Sequence, residues 1–137
     1  MPKPIRTRPV RSVQVRAYLA KAEEYLAAAL SELDAGRSMA TTSLAIHAAI
    51  NAADSVTGAR TGRRAAGQDH DQVVSLLQEA GKDGAEIERD LGRLLPLKTK
   101  AEYEPDEIPA SEATRAVERA RRCVAVARRV AAERSGE

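Results

Sequence analysis

Between Ser38 and Gly58 the sequence has almost no polar face. Ala40, Leu44, Ala45, Ile46, Ala48, Ala49, Ile50, Ala52, Ala53 and Val56 nearly encircle a helix drawn through it. A helix apolar all round is covered on most sides. Its longest near-apolar run, 44–53, is far too short to span a bilayer and contains His47 and Asn51. Other helices must therefore surround it, from this chain, from a second copy, or from both, and its small alanines let neighbouring backbones come close. The rest of the 137 residues suits that demand: 27 are Ala, Phe and Trp are absent, and Tyr18, Tyr25 and Tyr103 are the aromatics. Such a composition favours helices. It excludes an all-β fold, a pocket walled by aromatics, and base stacking as a main binding force.

The periodicity predicts the remaining elements. Residues 1–11, with Pro2, Pro4 and Pro9, read as an extended basic arm. Val15, Tyr18, Leu19, Ala22, Leu26, Ala29, Leu30 and Leu33 recur at helical spacing and predict a helix over 12–33 with Gly36 as its stop. The encircled helix should end before Gly58, and the Gly- and Arg-rich 58–69 reads as a loop. Asp69 reads as the N-cap of a short helix over 70–80, Gly81 and Gly84 as brackets of a turn, and 85–95 as a second short helix that Pro96 ends or kinks. Residues 98–110 read as a loop. Ser111 reads as the N-cap of a last helix to about 133, and 134–137 as a frayed tail. The expected architecture is one all-α domain over 12–133, an up-and-down four-helix bundle with one arm interrupted into a short pair.

Charge is distributed unevenly. Residues 1–16 hold five cations and no acid, 71–110 hold ten acids against five bases, and 111–137 hold seven Arg against four Glu. Basic ends could neutralise phosphates, with the Arg face of the last helix (Arg115, Arg119, Arg122, Arg129) lining a groove for RNA. Alternatively they pair with the acidic middle. Cys123, the single cysteine, excludes an internal disulfide and reads as a buried small hydrophobe. His47, Asn51 and Asp54 share one helix face and read as an internal or interfacial polar network, since they fall short of a metal's ligand count. Neither a metal nor a cofactor is expected. Asp69–His70–Asp71 reads as helix capping, and Arg60, Arg63 and Arg64 as either an anion cradle or a solvated loop. No apolar stretch follows the basic N-terminus, which leaves a soluble cytoplasmic protein without membrane contact as the expectation.

Three stretches taken together resemble a known family: AIHAAINAADSVTGARTGRRAAGQDHDQVVSLL (45–77), LLPLKTKAEYEP (94–105) and SEATRAVERARRCV (111–124). With an Ala-rich second helix bearing an inner acid (Asp54), a Gly-rich loop, an Asp-His helix start and an Ala-Glu-Tyr segment before the last helix, the chain resembles the HEPN (higher eukaryotes and prokaryotes nucleotide-binding) family over 12–133. The resemblance implies a four-to-five-helix bundle and a homodimer. It also implies either a metal-independent ribonuclease of toxin–antitoxin or defence systems, or a domain with a nucleotidyltransferase-type partner that modifies a Tyr. The family's ribonuclease motif is an Arg followed, four to six residues on, by a His. Here Lys98 stands where the Arg is expected and Ala101 where the His belongs, two residues before Tyr103. An imidazole there would move a proton at the 2′-hydroxyl or the leaving oxygen; a methyl group cannot.

The leading expectation is thus a non-catalytic or altered-site component of a toxin–antitoxin or defence-type system. It would bind RNA, a nucleotide or a partner through Lys98, Lys100 and Tyr103, with Arg63, Arg64, Arg119 and Arg122 nearby. Tyr103 has a second reading, a ring plugging the end of the bundle. The alternative functions are a ribonuclease toxin with a changed site using Lys98, Lys100 and Tyr103, and a helical adaptor with no nucleic-acid role.

Overall fold

The computed structural model describes residues 5–66 and 70–135. Six helices form it: α1 (Ser12–Asp34), α2 (Ser38–Thr61), α3 (His70–Glu79), α4 (Gly81–Leu94), α5 (Pro96–Tyr103) and α6 (Ala110–Ser135). Two three-residue strands, β1 (Thr7–Pro9) and β2 (Arg63–Ala65), pair antiparallel with Arg8 opposite Arg64. The fold is all-α, as expected, and the two short strands are a minor addition to it.

The encircled helix is the axis of the bundle. Ala45, Ile46, Ala48, Ala49, Ala52, Ala53 and Val56 of α2 are fully buried, with α1, α4 and α6 packed around them. Contacts set the directions. Ser55 meets Val15 while His47 meets Tyr25, so α1 runs antiparallel to α2. Asp90 meets Arg122 while Asp83 meets Arg129, so α4 runs antiparallel to α6. Cys123 is buried in this core as expected, and burial above all pushes its thiol up to about 12.

Several boundaries differ from the sequence reading, each for a physical reason. α2 runs through Gly58 to Thr61 because Gly58 is a packing position: a Cβ there would lie 2.6 Å from the Val10 side chain. The helix stops at Gly62, in the left-handed conformation (φ 73°) that L side chains avoid. Residues 63–65, read as loop, find ladder partners in the arm. α4 starts at Gly81, so Gly84 lies inside it and not in a turn. There α3 crosses so closely that a Cβ would sit 1.9 Å from the Leu77 carbonyl oxygen. The segment read as a loop over 98–110 opens with α5, whose Pro96 occupies the first turn, where its missing N–H costs nothing. α6 begins at Ala110, with the Glu112 and Ala113 amides donating to the Pro109 carbonyl, so Ser111 lies within the first turn and is not the cap. It continues to Ser135, past the expected end, and 136–137 lie outside the described residues. The expected cap at Asp69 also lies outside them.

Candidate functional site

α5 projects the segment that the sequence singled out. Leu95 closes α4 and opens α5 in helical conformation (φ −57°, ψ −39°), so the chain passes from one helix to the next without a linker. Apolar Ala101 turns inward and is buried. Tyr103, at the C-terminal end, is 75% exposed. The plugging reading of this ring is therefore overturned: α5 ends before the ring can reach the core. Lys98 is half-buried, and Lys100 pairs with Glu112 on the first turn of α6 at 3.7 Å.

An imidazole that the sequence could not place stands beside α5. Nε2 of His47 lies 3.1 Å from Oε1 of Glu102, with side chains 38% and 18% exposed. Tyr25 of α1 stacks on the ring, centroids 5.4 Å apart and planes at 28°. Thus α1, α2 and α5 each contribute one member of a cluster, Tyr25, His47 and Glu102, one residue along from Tyr103. Glu102 lies 55 positions from His47 in the sequence, and no local pattern links them. The available signal was His47 itself, a polar ring on an otherwise apolar helix.

The other two residues of the polar strip go elsewhere. Asn51 donates from Nδ2 to the backbone carbonyl of His47, 2.8 Å away. Asp54 is half-buried, two turns from His47, with Arg64 and Lys21 as its nearest positive influences. Burial outweighs both and pushes its carboxyl up to about 7. The strip is therefore not one side-chain network: each of its members is satisfied or titrated locally.

Arg63, Arg64, Arg122 and Arg129 are engaged by other partners. Arg63 pairs with Glu79 of α3 at 2.8 Å, and the Arg64 guanidinium lies over the Tyr18 ring at 5.9 Å. Both follow the C-terminus of α2, about 20 Å along the helix axis from His47. Arg122 is held by Asp90, while Arg129 reaches both Asp83 and Glu86. The acidic middle and the Arg-rich helix thus neutralise much of each other within the chain. Around Tyr103 the sequence is acidic, with Glu104, Asp106 and Glu107 all exposed.

Ala48, Ala49, Ala52 and Ala53, whose cover the sequence left to this chain, to a second copy or to both, are fully covered within the protomer. Along its middle, α2 leaves a half-buried strip of Leu44, His47, Ile50 and Asp54, beside half-buried Ser43, while Met39 at its start is exposed. Among the described residues no three of His, Cys, Asp and Glu cluster as metal ligands would, and no helix is long and apolar enough to cross a membrane. No curated protein matches the chain. The family model of the HEPN domain matches residues 15–133.

Proposed function

The chain belongs to the HEPN domain family, and from that premise we propose that it is an altered-site binding component of a toxin–antitoxin or defence-type system, presenting Tyr103 to a nucleotide or to a nucleotidyltransferase-type partner. One observation carries this reading: Tyr103 stands 75% exposed at the C-terminal end of α5, two residues past a buried methyl group at position 101. A hydroxyl so presented is accessible to a partner's active site. The side chain in the place of the proton carrier can move no proton. The exposed Glu104, Asp106 and Glu107 repel an RNA backbone, so the surface around Tyr103 suits a protein or a metal-complexed nucleotide better than naked phosphates. In this reading the protein acts in the cytoplasm as a homodimer, joined through the half-buried strip of α2.

A second reading has its own observation. The His47 ring, partly exposed and faced by Glu102, supplies an imidazole beside α5 from a different helix. It could serve a metal-independent ribonuclease as the proton carrier that position 101 lacks.

Incubation of the pure protein with labelled single-stranded RNA in chelator separates the two. The binding reading expects intact RNA there and, in a separate titration with Mg²⁺ present, nucleoside triphosphate binding that weakens at least tenfold in Tyr103→Ala. Cleavage that disappears in His47→Ala overturns it in favour of the ribonuclease. Neither cleavage nor nucleotide binding leaves the helical adaptor. Light scattering checks the dimer, whose mass is twice the 14.7 kDa of the chain.

A further inference from the structure

A groove of about 670 Å³ runs between α4 and α6, and no residue of α5 lines it. Five cations line it, Lys82, Arg89, Arg93, Arg122 and Arg129, against two carboxylates, Glu86 and Asp90. Both carboxylates are already engaged. Buried Asp90 grips Nε and Nη2 of Arg122 at 2.8 to 3.2 Å, and Glu86 accepts from Nη2 of Arg129 at 3.2 Å. Lys82, Arg89 and Arg93 make no ion pair among the described residues, and all three are exposed.

The spacing of these three cations matters. Positions 82, 89 and 93 lie seven and four residues apart, hence on one side of α4, and extend over about 16 Å of its axis. A row of unpaired cations along a groove fits a row of anions. The paired arginines add to it, because each keeps N–H groups beyond those its carboxylates use, and Asp90 fixes Arg122 in orientation. The apolar part of the lining is Ala85, Ala125 and Val126. Nothing there stacks on a base, and nothing anchors an apolar side chain of a protein partner.

We propose that the α4–α6 groove binds a linear chain of phosphates, reading charge and spacing and neither base nor sugar. This site is independent of the Tyr103 reading. The test uses fluorescence anisotropy on the full chain with a short single-stranded RNA, the DNA of the same sequence, and competition by inorganic polyphosphate. The expected result is similar affinity for RNA and DNA and displacement of both by polyphosphate. Neutralising about three phosphates gives a slope near −2 in log K against log salt, or a roughly 20-fold loss on a fourfold rise in salt. Arg89→Glu with Arg93→Glu should weaken all three ligands at least tenfold. These side chains are exposed and unpaired, so circular dichroism should show the variant folded. Tyr103→Ala should leave binding unchanged. Absence of binding at low salt, indifference to the double substitution, a preference for RNA over DNA above tenfold, or loss in Tyr103→Ala would each overturn the assignment. The last would place the contact on α5, and only that result bears on the proposed role of Tyr103.

Discussion

Asp54 shows how one residue sets a pH dependence. Its carboxyl is pushed up to about 7 by burial, against the pull of Arg64 and Lys21. In the unfolded chain it ionises near 4. The folded state therefore binds the proton more tightly, so this group's penalty is absent below about pH 4 and grows as pH rises towards 7. Asp54→Asn should accordingly stabilise the protein at about pH 8, by roughly 1–3 kcal/mol, and lose that advantage near pH 4. Urea titrations at the two pH values check this; an equal difference at both would assign the effect to something other than ionisation. Asp54 was legible in the sequence as a polar interruption of an apolar helix. That it makes no ion pair among the described residues was not, because that depends on where Arg64 goes. Arg64 goes to Tyr18, by way of a strand pairing between segments more than fifty residues apart.

Among the elements, the helices followed from periodicity, and the joints did not. Apolar spacing places α1, α2, α3 and most of α4 and α6, because burial on one face imposes the helical repeat. Gly58 and Gly84 were misleading because both are sites of close approach, whereas Pro96 ends α4 as read and also starts α5, where the sequence suggested a loop. Gly84→Ala is expected to force α3 from α4 and cost about 2–4 kcal/mol, read as a lower urea midpoint with an unchanged slope. The α1–α2 pair carries a buried polar pin, the Ser55 hydroxyl donating to the Val15 carbonyl at 2.8 Å. Ser55→Ala removes that second bond to a carbonyl already within the α1 helix and should cost about 0.5–1.5 kcal/mol. Restoration by Ser55→Thr would miss the point if the added methyl clashes, so hydrogen exchange of the α1 amides is the more direct check, with faster exchange in the first turns expected.

Across the whole molecule, part of the contrast between the basic C-terminal helix and the acidic middle resolves into internal pairing, Arg122 with Asp90 and Arg129 with Asp83 and Glu86. Arg60, at the C-terminal end of α2, donates to Asp83 of α4 and Glu133 of α6 and so gathers three helices at one point. The Arg129 guanidinium first, and Arg60 after it, hold the Asp83 carboxyl below its usual range. That stabilisation is present above about pH 4 and is lost as acid protonates the group. Asp83→Asn should therefore weaken the acid limb of the stability profile and leave Asp54's neutral limb in place, as thermal melts across pH would show. Cys123 offers a global readout: with its thiol buried and pushed up to about 12, modification by a thiol reagent should proceed at the rate of unfolding and slow in parallel with every stabilising change. Finally, the joint at Leu95 leaves no slack between α4 and α5. Arg93 and Tyr103 ride on a single bent rod, one on each side of its elbow, so the seat of α4 in the bundle dictates the direction in which the phenol is held out.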